Sequence, residues 1–138
     1  MESTISMQDM RHLNLFGKIT GVSTRFCFGY NDAIVFCVPK PLVARAIGEN
    51  GKNSKQLSQI LEKKIKVIPS PRGIMDAESF IRAVTSPVDF KNVEVSSNEI
   101  IIHAGMKNKA ALIGREKRRL LEMKKIVRDF FGRDVRIA

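Results

Sequence analysis

The chain repeats itself. Slid by 66 residues, Ala33-Ile34-Val35-Phe36-Cys37-Val38 lies over Glu99-Ile100-Ile101-Ile102-His103-Ala104, and Ala46-Ile47-Gly48 lies over Leu112-Ile113-Gly114. Ile60-Leu61 falls on Ile126-Val127, and a four-residue extension of the second copy then brings Ile65-Lys66-Val67 over Val135-Arg136-Ile137. Composition alone does not produce matches on both flanks of one small insertion, so we read an internal duplication. In 138 residues it selects two very small domains over one of ordinary size. Pro69-Ser70-Pro71-Arg72-Gly73 marks the joint, following a β-type run and preceding a new helical signal. The expected domains are 1–70 and 71–138.

Each copy carries the same order of elements. In the first, apolar Ile5, Met10, Leu13 and Phe16 predict a helix over 4–16. Two β runs, 18–28 and 33–38, are joined through Gly29-Tyr30-Asn31-Asp32, a hairpin turn. Pro39 and Pro41 end the second strand, and a short helix over 42–47 follows. Gly48-Glu49-Asn50-Gly51 breaks it. A helix over 53–63, with Leu57, Ile60 and Leu61 on one face, and a strand over 64–68 close the unit. The second copy predicts helix 77–84, strands 92–95 and 99–104, helices 108–113 and 118–131, and strand 134–137. The order α-β-β-α-α-β, twice, is α+β. If Phe28 sits opposite Phe36, then Phe26, Phe28, Ile34, Phe36 and Val38 share the buried face, and Arg25, Cys27, Val35 and Cys37 the other. The same alternation turns Val93, Val95, Ile100 and Ile102 inward and His103 outward.

Charge narrows the partners. The first 70 residues hold 10 basic against 5 acidic residues and the remainder 14 against 9, so each half is +5. A surplus shared by both halves points to an anionic partner site in each, most simply nucleic acid. Acidic protein surfaces and anionic membranes attract the same sign, and lysine-rich surfaces also serve thermostability. No apolar run spans a membrane, and Met1-Glu2-Ser3-Thr4 lacks the character of a signal peptide, so a folded cytoplasmic protein is expected.

The turn Ile47-Gly48-Glu49-Asn50-Gly51-Lys52 has two readings. Its glycines let backbone approach a ligand, and the helix that starts there offers free N–H groups and a positive dipole end, with Lys52 and Lys55 beside it. Alternatively the two glycines simply make a helix–turn–helix corner. In the second copy, Ile113-Gly114-Arg115-Glu116-Lys117-Arg118-Arg119 replaces the second glycine with Lys117, which is expected to keep the backbone further from a phosphate. Arg115, Lys117, Arg118 and Arg119 crowd a helix start, where the dipole disfavours cations. They read either as phosphate contacts or as a solvated face with pairs such as Arg118–Glu122.

A helix–Gly-x-x-Gly–helix unit between β elements, in a basic chain, resembles the KH domain of RNA-binding proteins. With both hairpin strands ahead of the helix pair, it is similar to the type II form. Two tandem copies in so short a chain resemble the archaeal NusA-like transcription termination and antitermination factors. The resemblance covers nearly the whole chain and is most specific at Ala44-Arg45-Ala46-Ile47-Gly48-Glu49-Asn50-Gly51-Lys52-Asn53. It implies that Gly48, Glu49, Asn50 and Gly51 clamp a sugar-phosphate backbone, with Arg45, Ile47 and Lys52 as walls. The edge of residues 65–67 would then face the bases. Glu49 departs from a phosphate-binding ideal, since a carboxylate repels phosphate, although Lys52 and Lys55 offset one charge. The second domain, with its degenerate loop 114–117, matches by position rather than by motif. The implied partners are single-stranded RNA and RNA polymerase, met by a monomeric chain. A ribosome-associated KH protein, and a protein-interaction scaffold with a vestigial clamp, are the alternatives.

Nothing in the sequence points to catalysis. No nucleophile elbow, phosphate-binding Walker loop or dinucleotide fingerprint occurs, and Asp76 and Glu78 sit at a predicted helix start where acids favour the dipole. Neither an enzyme nor a cofactor is expected. The spacing of Cys27 and Cys37 fits no zinc pattern, no histidine pair completes a set, and His12 has no evident partner, so no metal is expected. On the register above, the cysteines face each other across adjacent strands, as half-buried thiols or a conceivable disulfide.

Overall fold

The computed structural model describes residues 6–138. Of the expected first helix, residues 4 and 5, including apolar Ile5, lie outside the described residues. The chain forms two compact units that part between Ser70 and Pro71. Each holds one three-stranded sheet with its helices, an α+β arrangement.

The first unit opens with α1 (Met7–Thr20), started by Ser6, whose hydroxyl accepts the N–H of Asp9 at 3.0 Å. The helix runs four residues beyond the expected end, through a segment read as strand. Gly21 explains this: at φ 71° it caps the helix, its N–H bonding Gly17 O. Inside the last turn, the Thr20 hydroxyl bonds Phe16 O at 2.7 Å. The first strand is correspondingly short, β1 (Phe26–Tyr30), followed by β2 (Ala33–Val38).

The hairpin register differs from the expected one. Asn31 and Asp32 both adopt positive φ (52° and 62°), which makes a two-residue turn and sets Tyr30 opposite Ala33. Cys27 therefore lies opposite Phe36, and Phe26 opposite Cys37. Opposed residues share a face. The β2 assignment stands, but β1 is inverted: Cys27 lies on the helix side and Phe26 and Phe28 on the other. The two cysteines sit on opposite faces as free thiols, so the conceivable disulfide is excluded.

Helices α2 (Val43–Ile47) and α3 (Lys52–Leu61) then cross over to β3 (Lys64–Pro69), which pairs parallel with β2. Sheet order is β1-β2-β3. Phe16, Val22, Ile34, Phe36, Val38, Ala46 and Leu57 form the core, with Phe16 stacked on Phe36 at 4.3 Å between ring centroids. Such a pair adds about 0.5–1.5 kcal/mol beyond its buried area. Leu57 is fully buried and Leu61 packs on the core, but Ile60 is 53% exposed, off the expected face.

The second unit repeats this plan with α4 (Ala77–Thr85), β4 (Asn92–Val95), β5 (Glu99–His103), α5 (Met106–Ile113), α6 (Arg118–Phe131) and β6 (Asp134–Ile137). β5 pairs antiparallel with β4 and parallel with β6. Ile100 and Ile102 are fully buried as expected, whereas Val95, at the strand end, is exposed. His103 is half-exposed, its Nε2 3.7 Å from a Glu94 carboxylate oxygen. Phe80 meets Phe130 and Phe131 of α6 at 4.8 and 5.7 Å. Among the described residues no helix is long and apolar enough to cross a membrane.

Candidate nucleic-acid interface

The turn between α2 and α3 is defined by three positive φ angles in four residues. Gly48 adopts φ 83°, ψ 164°, Asn50 φ 56°, ψ 27°, and Gly51 φ 72°, ψ 20°. The first conformation is nearly confined to glycine, and the other two are left-handed positions that asparagine tolerates and glycine favours. The Gly48 N–H bonds Ala44 O and the Gly51 N–H bonds Gly48 O, each at 3.0 Å, so the turn is closed by its own backbone. Gly48 also leaves no room for a side chain. A Cβ there would stand 2.9 Å from Asn53 Nδ2 and 3.1 Å from the Asn53 backbone nitrogen. Asn53 in turn donates to Arg45 O at 3.4 Å, bridging the two helices.

No side chain caps α3, so its first-turn N–H groups face the turn without a side-chain partner. Glu49, Asn50, Lys52 and Lys55 line an open recess of about 580 Å³ with Gln56 and Gln59. The glutamines were not foreseen, although their spacing from Lys52, about one and two helical turns on, places them on its face. Of the expected walls, Ile47 is half-buried, and the Arg45 guanidinium stands near Gly21 at the end of α1, with Nη2 3.7 Å from where a Gly21 Cβ would be. Neither lines the recess. β3, carrying residues 65–67, is an edge strand of its sheet.

The corresponding turn of the second unit has nearly the same backbone. Gly114 adopts φ 78°, ψ 167°, Glu116 φ 54°, ψ 28°, and Lys117 φ 62°, ψ 22°. Gly114 N bonds Ala110 O at 2.9 Å and Lys117 N bonds Gly114 O at 3.1 Å, the same closure. Losing the second glycine thus leaves the path of the backbone unchanged, and what Lys117 adds at this position is a side chain. Lys117 takes the left-handed conformation itself, at a cost of roughly 1–2 kcal/mol for a residue with a Cβ. Sterics show why this exchange is open: a Cβ on Gly51 would meet only Lys55 Cε, at 3.8 Å. At Gly114 it would meet Arg119 Cγ at 2.6 Å and its backbone nitrogen at 3.0 Å.

The four cations of this second turn are not equivalent. Arg115, Lys117 and Arg118 are exposed. Arg119 has a side chain only 12% exposed and pairs with Glu122 at 2.8 Å. The anticipated Arg118–Glu122 pair is replaced by this one, i to i+3, which withdraws Arg119 from the surface charge.

Away from the turns, Asp9 and His12 of α1 and Cys27 of β1 place one ligand-type atom each within 4.8 Å of one another. Cysteine spacing could not signal this group, because it joins a helix to a strand and depends on the hairpin register.

No protein-family model matches the chain. By overall fold it is similar to the crystal structure of APE1850, with a TM-score of 0.67 and 23% identity over 97% of this chain and all of that one. Among curated proteins it is 27% identical over 105 residues to the "Probable transcription termination protein NusA" of Methanococcus vannielii, covering 75% of this chain and 59% of that protein. It is 30% identical over 98 residues to the protein of the same name from Halococcus morrhuae, covering 71% of this chain and 68% of the relative. Spanning more than two thirds of both partners at that identity, the second match establishes that this chain belongs to the family of archaeal NusA transcription termination proteins.

Proposed function

We propose that the chain is a tandem pair of type II KH-like domains, 1–70 and 71–138, that binds single-stranded RNA and acts in transcription termination or antitermination. The observation that carries this reading is the turn at Gly48–Gly51. Its backbone is free of side-chain bulk on the Gly51 side, opens directly onto the uncapped start of α3, and is flanked by exposed Lys52 and Lys55. That combination suits a sugar-phosphate backbone: bare N–H groups, a helix dipole and two cations converge where a phosphate oxygen would lie. The repeat of the same backbone at Gly114–Lys117 supports a second contact, made by Arg115, Lys117 and Arg118 through charge. The names of the relatives, probable transcription termination proteins, support the transcriptional context; on this reading nascent RNA and RNA polymerase are the partners of a monomeric, cytoplasmic protein.

The test is binding of the full chain to a randomised single-stranded RNA pool at two salt concentrations, against the matched duplex. Preference for single strands with enrichment of a short motif is the expected result. Replacing Glu49 and Asn50 together with Asp should weaken binding at least about tenfold, by adding repulsion worth about 1.4 kcal/mol, with the fold intact. Asp at position 50 remains compatible with the left-handed backbone. Binding that ignores strandedness and survives this change would overturn the clamp. A scaffold role, in which Glu49 already marks a lost phosphate site, would then lead.

A further inference from the structure

We propose that Asp9, His12 and Cys27 form a binding site for a divalent transition-metal cation, zinc by donor chemistry, which ties the start of α1 to strand β1. Each element of the fold contributes to the convergence. Asp9 and His12 are three residues apart on α1 and so share one helix face. Cys27 reaches that face because the two-residue turn at Asn31-Asp32 places it opposite Phe36, on the helix side of the sheet. Its sulfur lies 3.8 Å from Asp9 O. The first-turn capping bond to Ser6 uses the N–H of Asp9, not its carboxylate.

The donor set is that of zinc: one thiolate, one imidazole and one carboxylate. With the thiol ionised and the imidazole neutral, the three ligands carry a charge of −2, which matches a divalent cation. Tetrahedral bonding needs ligand atoms about 3.4–3.6 Å apart, given metal–ligand bonds of roughly 2.0–2.3 Å. From separations within 4.8 Å, the side chains close by roughly 1 Å through small χ adjustments. All three residues are half-buried, sheltered enough to hold an ion and open enough to admit one. On binding, the S–H bond of Cys27 breaks, the sulfur–metal bond forms, and the proton leaves to solvent. Water fills the fourth position.

The site is independent of RNA binding. Full-length protein titrated with cobalt(II) should develop a thiolate-to-metal charge-transfer band in the near ultraviolet, bleached by stoichiometric zinc. Zinc should also raise the thermal unfolding midpoint, since it binds the folded state. Cys27→Ser should abolish the band, while Cys37→Ala and His103→Gln retain it. His12→Gln, a change at a half-exposed helix position that preserves folding, should weaken metal binding at least about tenfold. Should the Cys27 variant fail to fold, the His12 variant decides the matter. No band at about 0.1 mM cobalt, a range in which a three-ligand site should load, would overturn the proposal. So would a band that persists in Cys27→Ser, or affinity unchanged in His12→Gln.

Discussion

The two interhelical turns share a backbone and differ in how they hold it. In the first unit both outer positions are glycine; in the second only Gly114 remains, and Lys117 occupies the left-handed position without help from a missing Cβ. The difference separates two roles that a Gly-x-x-Gly pattern merges. The first glycine is structural, because a Cβ there would collide with a side chain of the following helix, Asn53 or Arg119, and press on its backbone nitrogen in both units. The second is a matter of access. Its side chain would point into open space, so substitution changes what reaches the surface of the turn rather than the path of the chain.

The sharpest test substitutes the first glycine. Gly48→Ala and Gly114→Ala should each cost about 2–3 kcal/mol, from a near glycine-only conformation and a Cβ in contact with the next helix. Urea midpoints read this directly, and a mild Gly114→Ala would break the structural equivalence of the turns. Next comes charge. Replacing Arg115, Lys117 and Arg118 with Gln should weaken RNA binding about tenfold, roughly 1.4 kcal/mol, and flatten its log–log salt dependence by up to about 0.7 per lost phosphate contact. Arg119→Gln should leave that slope unchanged, because Glu122 already holds its guanidinium.

Exchange of the second position should matter less. Gly51→Lys should cost about 1 kcal/mol, and Lys117→Gly should stabilise by up to about 1 kcal/mol, both measured by urea unfolding. A loss much above this in the first unit would mean that its turn tolerates a side chain less well than its twin.

The smallest contrast lies in the thiols, which only the first unit contains. Burial, with Asp9 alongside, pushes Cys27 up to about 12, and burial with Cys27 nearby raises Cys37 further. The folded state therefore keeps protons that the unfolded chain loses from about pH 8.5. The stabilisation is full below that pH and declines as pH rises toward the folded values. Unfolding midpoints at about pH 7.5 and about pH 10 should differ, and Cys37→Ala should narrow the gap. Tyr30, the single tyrosine in a chain without tryptophan, gives a fluorescence signal for this unit alone.

Much of this was legible in the sequence because it depends on pattern. The repeat, the order of elements, the β5 face and the bounds of α6 and β6 all follow from apolar spacing and turn residues. What was missed depends on single backbone choices. Ile19 and Thr20 read as β-formers, yet the left-handed cap at Gly21 draws them into α1. A two-residue turn instead of a four-residue one inverted β1, and with it the environment of Cys27. In the turns, the residues that carry charge were visible, but not which of them were already engaged. Arg119 looks identical in sequence to its exposed neighbour Arg118, and only packing over Gly114 separates them. Nor does any residue type announce that Lys117 adopts a glycine-like φ.

The edge position of β3 in its sheet has a consequence for solubility. An edge strand left uncovered invites a second chain to extend the sheet, the first step toward aggregation. Here the strand reads Lys64-Ile65-Lys66-Val67, with a positive charge at every second position. Two such edges meeting would align like charges and repel. Lys64 and Lys66 thus keep copies of the chain apart, and removing them is expected to cause self-association during refolding before any loss of the fold is seen.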